Sequence, residues 1–113
     1  MRGIAFLVSA FAAVALFFSS SFAAGDVAKG RALFNDPKFA GGVKPCIQCH
    51  PGGSGLEKAA DKKEFHIAGQ RQKSLEEAID ACIFNANMGR QIGVNSEQMK
   101  NPVAYIKSLK KSK

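Results

Sequence analysis

The sequence has no tryptophan and a single tyrosine, and its basic residues form no stripe interleaved with aromatic side chains. This argues against nucleic-acid binding, which combines basic surfaces with stacking aromatics. The nine acidic residues include no isolated, hydrophobically flanked pair, and no serine or cysteine has a neighbouring base at a recognisable spacing. We therefore expect no catalytic acid–base or nucleophilic site, and no enzyme.

A long apolar run occurs only once, at the N-terminus. Arg2 is followed by an almost wholly apolar stretch from Ile4 to Phe18, then three serines, then the small residues around Ala23. This order is typical of a cleaved signal peptide, and about 15 apolar residues fall short of the ~20 that a membrane-spanning helix needs. We predict a signal peptide over residues 1–23 and an exported domain over residues 24–113, located in the periplasm without stable membrane insertion.

The predicted mature chain is short and basic. A chain of 90 residues buries only about 60% of its unfolded surface, so we expect one domain whose core includes a cofactor or another cross-link. Without Arg2, 15 basic residues face 9 acidic ones, and several lysines crowd the C-terminus. This surplus indicates either a partner with an acidic surface or a solvated basic tail, and contact of the tail with a membrane stays open.

Helical signals dominate the mature chain. Asp26 is the predicted cap of a first helix, and Ser74 with Glu77 forms a capping box before a second. A third helix begins near Ser96, and Pro102 either kinks it or marks a restart. Since no segment longer than a few residues has the period of a strand, the predicted fold is all-α, a small helical fold around one cofactor.

The motif Cys46-x-x-Cys49-His50 is the part of the sequence that indicates a chemical function. Two thiols at this spacing can reach the two vinyl groups of one porphyrin, and the adjacent histidine can donate to the iron. We predict one covalent haem c, attached to Cys46 and Cys49, with His50 as the proximal iron ligand. The alternatives are a redox-active or structural disulfide, or zinc with His66 or Cys82 as fourth ligand. Adjacent Cys49 and His50 are awkward ligands for one tetrahedral ion.

With this motif between a helix containing Gly30 and Phe34 and a terminal helix containing Tyr105, the chain resembles the class I cytochrome c family. The resemblance spans essentially the whole mature domain. It implies that the first and last helices cross beside the haem, where the small Gly30 lets Tyr105 approach. Pro102 departs from the family, which usually has a large aliphatic residue there.

The resemblance also implies a methionine as sixth iron ligand, from a loop before the terminal helix. Met88, 17 residues before Tyr105 on a glycine-bounded loop, is the predicted ligand, and Met99 is the second choice. His66 would instead give a bis-histidine haem, although a position near a propionate is favoured for it. A lone cysteine in an apolar stripe is usually a small hydrophobic residue, which is our interpretation of Cys82.

These observations predict a monomeric, periplasmic carrier of single electrons between redox proteins with acidic docking surfaces. The docking lysines are expected among Lys38, Lys44, Lys58 and Lys110. Two alternatives keep the haem but change its use. Residues 81–89 and 96–106 look like the haem domains of thiosulfate-oxidising dihaem cytochromes, which suggests an open or switchable sixth ligand in such an oxidoreductase system. An open sixth position would also suit a gas sensor.

Overall fold

The structure is a computed structural model that describes residues 25–110. The predicted signal peptide, together with Lys111 and Lys113 of the basic tail, lies outside these residues. The described chain forms three α-helices and two short strands in the order α1 (Val27–Asn35), β1 (Phe65–Ile67), β2 (Gln70–Gln72), α2 (Leu75–Asn85) and α3 (Glu97–Ser108). Among the described helices, none has the length and apolarity needed to cross a membrane.

The prediction of an all-α fold is wrong, because β1 and β2 form an antiparallel sheet. Phe65 pairs with Gln72, and Ile67 pairs with Gln70. The two residues that join the strands, Ala68 and Gly69, both have positive φ angles, of 53° and 76°. Positive φ at both positions is the pattern of the tight turn that suits the twist of a hairpin.

Short length explains why sequence periodicity missed this hairpin. Each strand has three residues, so each contains only one and a half repeats of the strand period. Phe65 and Ile67 nevertheless show the alternation, since both are at least partly buried while His66 between them is exposed. The hairpin therefore contributes one apolar face to the interior, and the fold is mixed α and β.

The predicted caps of the first two helices are present. The Asp26 carboxylate accepts a hydrogen bond from the Lys29 amide at 3.0 Å. The Ser74 hydroxyl accepts from the Glu77 amide at 3.1 Å. The carboxylate of Glu77 accepts from the amide of Lys73 at 2.7 Å, one residue earlier than a capping box predicts. Both helix starts thus have satisfied backbone donors.

The third helix does not restart at Pro102. It runs without interruption from Glu97, and its cap is Ser96, whose hydroxyl accepts from the Met99 amide at 3.1 Å. A restart at Pro102 would make Asn101 the cap, but the Asn101 side chain instead accepts from the Asp26 amide at the start of the first helix, at 2.9 Å. Proline removes one helical hydrogen bond, and the Pro102 ring is buried against the interior.

The helices α1 and α3 cross in close contact. A Cβ atom placed on Gly30 would lie 2.0 Å from the carbonyl oxygen of Asn101 and 2.8 Å from the Cβ of Tyr105. The rings of Phe34 and Tyr105 meet edge to face, with centroids 5.1 Å apart. Only glycine permits this approach, so the crossing depends on the absence of one side chain.

Irregular chain fills the interval between α1 and the hairpin. It includes four single 3₁₀ turns: Phe39–Gly41, Cys46–Gln48, Pro51–Gly53 and Ala59–Asp61. Phe39 and Ala59 from this region, together with Phe65 of β1, pack with buried residues of α2 and α3 into one hydrophobic core. The core borders a cavity that is lined by residues of the three α-helices, β1 and the irregular chain.

Candidate functional site

An apolar cavity lies between the irregular segment, the hairpin and the helices. Its enclosed volume is about 130 Å³, and its mouth opens to solvent. Its apolar walls come from every described helix, from β1 and from the loops: Phe34, Phe39, Pro45, Leu56, Ala59, Phe65, Ile67, Leu75, Ala78, Ile79, Ile83, Ala86, Pro102 and Ile106. This lining favours an apolar ligand.

The predicted haem-attachment residues all lie on this cavity. Cys46 and Cys49 are the first residue and the C-terminal cap of one 3₁₀ turn, and His50 follows directly. The amides of Cys49 and His50 both donate to the Cys46 carbonyl, at 3.2 and 3.0 Å. This folded-back turn brings the two thiols and the imidazole to the same opening. The structure places all three predicted residues on one cavity, and their attachment to haem stays a prediction.

The imidazole of His50 has a defined orientation. Its Nδ1 lies 2.9 Å from the carbonyl oxygen of Ser54. A carbonyl can only accept, so Nδ1 holds the proton, and Nε2 of the neutral ring keeps its lone pair. Histidines that ligate metals use the same arrangement, in which the second ring nitrogen donates to a backbone carbonyl.

The buried side chain of Asn87 is a site residue that sequence reasoning missed. Its Nδ2 donates to the sulfur of Cys46 at 3.3 Å, and its backbone carbonyl accepts from the Val43 amide at 2.9 Å. These two bonds join the end of α2 to the segment that begins the motif. The only sequence signal was its place after a capped helix, where asparagine usually means a helix stop.

The two methionines considered as iron ligands do not lie at the cavity. Met88, the predicted sixth ligand, is 67% exposed with a φ of 59°. Met99 is 1% exposed and packs in the hydrophobic core. Neither residue lines the cavity. Ligation by Met88 stays a prediction, and its side chain must change position before it can reach the cavity.

His66 is also remote from the cavity. It is exposed on β1, on the opposite side of the strand from Phe65 and Ile67, and its Nε2 lies 3.7 Å from the carboxylate of Glu64. Neither a bis-histidine haem nor a zinc site that includes His66 gains support from this position. Within residues 25–110, no group of three or more potential metal-binding side chains converges, and all three cysteines are free thiols.

Cys82 lies on the cavity, in contrast to both methionines. It is half-buried in α2 between Ile79 and Ile83, which also line the cavity. Burial raises the pKa of the Cys82 thiol, and the nearby thiols of Cys46 and Cys49 raise it further. Burial likewise raises the pKa of Cys46, although the hydrogen bond from Asn87 partly offsets this effect. Three thiols and one imidazole therefore line a single apolar cavity, although no three of them converge on one point.

Comparison with protein-family models, with curated proteins and with solved structures found no match. The functional interpretation therefore depends on the residues of the cavity and on their geometry. An apolar cavity that presents two thiols and an oriented imidazole from one turn fits a covalently attached haem.

Proposed function

We propose that this protein is an exported, monohaem c-type cytochrome that carries single electrons between redox proteins in the periplasm. The observation that supports this most directly is the arrangement of Cys46, Cys49 and His50. All three line one apolar cavity from one short turn, and Ser54 holds His50 in the tautomer that leaves Nε2 available.

The chain's residues have distinct roles in this proposal. Cys46 and Cys49 would hold the macrocycle through thioether bonds, and His50 Nε2 would bind its iron. Apolar side chains such as Ile79 and Ile106 would cover the macrocycle and keep water from it. When bound, the haem supplies an iron centre that changes its charge by one electron. The hydrogen bond between His50 and Ser54 and the packed apolar walls would limit the rearrangement that accompanies this change.

The surface around the cavity suits an acidic redox partner. Lys44 is exposed and also lines the cavity, so its charge lies at the mouth where a partner would approach. Lys38 and Lys58 are exposed but do not line the cavity, and Lys110 forms an ion pair with Asp61 at 2.9 Å. Of the four lysines considered for docking, Lys44 is therefore the best placed to steer association.

One observation favours the alternative in which the sixth position is open or switchable. Neither Met88 nor Met99 lines the cavity. Such a haem could bind a gas as a sensor, or could serve a thiosulfate-type oxidoreductase system. The reduced protein should then bind carbon monoxide rapidly, whereas a carrier with two strong protein ligands should resist it.

The test is expression of the full chain, including residues 1–23, in a bacterium with an active c-type haem maturation system. The periplasmic protein should lose its first 23 residues and gain the mass of one haem that survives denaturation. Its reduced absorption spectrum should be that of haem c. The wild-type protein should also pass electrons reversibly to a soluble redox protein with an acidic surface.

The three cysteines provide the matched control. Cys46→Ala combined with Cys49→Ala should abolish covalent attachment, whereas Cys82→Ala should leave it intact, because only the first two lie in the attachment motif. Exported protein that carries no haem, or haem that is lost on denaturation, would contradict the proposal. Zinc or a Cys46–Cys49 disulfide in that protein would favour the corresponding alternative.

A further inference from the structure

The two cysteines of the attachment motif have different surroundings. Cys46 is half-buried, and its sulfur accepts a hydrogen bond from the side-chain amide of Asn87 at 3.3 Å. Cys49 is exposed, and its sulfur has no hydrogen-bond partner within residues 25–110. A second part of the chain therefore holds the sulfur of Cys46, whereas only the turn that contains Cys49 positions the sulfur of Cys49.

The residue that holds Cys46 is itself fixed in place. Asn87 is 4% exposed, its backbone amide donates to the Cys82 carbonyl at 3.1 Å, and its backbone carbonyl accepts from the Val43 amide at 2.9 Å. The amide of Arg90 donates to the Ala40 carbonyl at 2.8 Å. The chain after α2 is thus joined to the segment that leads into the motif. A side chain supported in this way can hold a partner atom in one position.

The amide of Asn87 contributes a donor at the atom that must react. The sulfur of a neutral thiol is only a weak acceptor, but a hydrogen bond to an ionised acceptor is roughly twice as strong as one between neutral groups. A donor already directed at an atom where negative charge develops stabilises the transition state. Asn87 therefore fixes the direction of the Cys46 sulfur and favours its bond formation.

We propose that Asn87 is a positioning residue for haem attachment, and that it acts on Cys46 alone. This inference rests on the proposed function. In the attachment step the S–H bond of Cys46 breaks, the sulfur forms a bond to one carbon of a haem vinyl group, and the proton goes to the other carbon. The addition involves no net oxidation or reduction. Cys49 completes the same addition without Asn87, because its sulfur has no contact of this kind.

The experiment compares exported wild-type holoprotein with Asn87→Ala, since alanine keeps the backbone bonds at this position and removes the amide. The wild type should have two thioether bonds, whereas most Asn87→Ala molecules should hold haem through Cys49 alone. Thiol alkylation of the denatured, reduced proteins should label only Cys82 in the wild type, and Cys46 as well in Asn87→Ala. The reduced pyridine haemochrome band of Asn87→Ala should move to longer wavelength, because one vinyl group stays conjugated with the ring.

Three further variants define these results. Cys46→Ala provides the reference spectrum of haem held by Cys49 alone. Asn85→Ala is the matched control, because the Asn85 side chain donates to the Ala81 carbonyl of its own helix at 2.8 Å and does not line the cavity. It should retain both thioether bonds. Asn87→Asp tests the donor itself, since an aspartate has nearly the same size but no N–H group. It should resemble Asn87→Ala.

The other outcomes overturn the inference in distinguishable ways. Two thioether bonds in Asn87→Ala would leave the proposed function intact but would show that Cys46 needs no positioning residue. Two bonds in Asn87→Asp alone would assign the effect to packing instead of the donor. Equal losses at Cys46 and Cys49 would indicate a general effect on the fold. Absence of covalent haem from the wild type would refute both proposals. Alkylation is measured on denatured protein, so the result does not depend on the stability of a variant.

Discussion

Two walls of one cavity are built by different means. The loop wall, residues 44–56, has only single 3₁₀ turns, and short-range bonds such as that from the His50 amide to the Cys46 carbonyl maintain it. The helical wall, residues 75–87, is the capped helix α2 and its end. Both walls present cysteine to the same space. In the loop wall, the spacing of the two cysteines and the histidine predicts a haem-attachment motif. In the helical wall, the cysteine is one position of an apolar stripe and predicts no function by itself.

Neither wall is complete without α3, which adds Pro102 and Ile106 to the lining. The largest effect is therefore expected from Gly30→Ala at the crossing of α1 and α3. Alanine in place of glycine usually stabilises a helix by about 1 kcal/mol. Here the new Cβ would lie 2.0 Å from a backbone carbonyl oxygen, so we expect a loss of about 3 kcal/mol, the upper part of the range for overpacking.

Denaturant unfolding of the holoprotein measures this change. Arg31→Ala, at the next position and exposed, is the matched control, and it should alter the free energy of unfolding by less than about 0.5 kcal/mol. A Gly30→Ala protein as stable as the wild type would show that α1 can move away from α3 at little cost.

The sequence predicted the three helices well because their signals are local. The caps at Asp26 and Ser74 and the apolar period each involve residues within one or two turns. The hairpin was missed because three-residue strands give too little pattern. The sequence left open whether α3 continues through Pro102, because the bond between Asn101 and the start of α1 cannot be read from local spacing. Hydrogen bonds between residues far apart in the sequence cannot be predicted from the spacing of neighbouring residues.

The site divides in the same way. Cys46, Cys49 and His50 are neighbours in sequence, so their motif predicted their common position. Asn87 donates a hydrogen bond to the sulfur of Cys46, which is 41 residues away in the sequence, and no sequence motif predicts that bond. Whether Cys82, Met88 or Met99 points to the cavity depends on how the chain packs. The sequence therefore predicts a cofactor class, but it does not choose the second ligand.

The helical wall alone is tested by Asp80→Ala. The buried carboxylate of Asp80 accepts from the amides of Ile92 and Gly93, at 2.8 and 3.0 Å, and so ties α2 to the chain before α3. Its removal leaves two donors without partners, and we expect a loss of about 2 kcal/mol. Amide hydrogen exchange should become faster at Ile92 and Gly93.

Glu76→Ala is the control on the same helix. Glu76 lies in the first turn of α2, where a carboxylate interacts with the helix dipole, so its loss should cost less than about 1 kcal/mol. Unchanged exchange at Ile92 and Gly93 in Asp80→Ala would mean that the loop is held by other contacts.

The loop wall is tested by comparing Gly55→Ala with Gly52→Ala. Both glycines have positive φ, of 88° and 60°, and a side chain at such a φ costs about 1–2 kcal/mol. A Cβ on Gly55 would lie 3.6 Å from His50 Nδ1, whereas a Cβ on Gly52 would meet nothing within 4 Å. We expect similar stability losses in denaturant unfolding, with a change in the haem spectrum only in Gly55→Ala. An equal spectral change in both variants would show that backbone strain at either glycine of the loop wall alters the position of His50.

The smallest effect concerns the thiols of the two walls in a haem-free chain, produced without residues 1–23 under reducing conditions. Burial raises the pKa of Cys46 and of Cys82 above the ordinary value of 9.0. Below pH 9.0 both thiols are neutral in the folded and the unfolded chain, so their contribution to stability is complete. As the pH rises past 9.0, the unfolded chain loses these protons first, and the free energy of unfolding should fall.

Cys46 in the loop wall and Cys82 in the helical wall should contribute unequally to this decrease in the free energy of unfolding. The hydrogen bond from Asn87 offsets part of the shift at Cys46, while every influence on Cys82 acts in the raising direction. Urea unfolding on both sides of pH 9.0 should therefore show that Cys82→Ala removes more of the pH dependence than Cys46→Ala, since other titrating groups are common to both variants. The reverse order would place the more strongly desolvated thiol in the loop wall, and would show that the Asn87 hydrogen bond offsets little of the effect of burial on the pKa of Cys46.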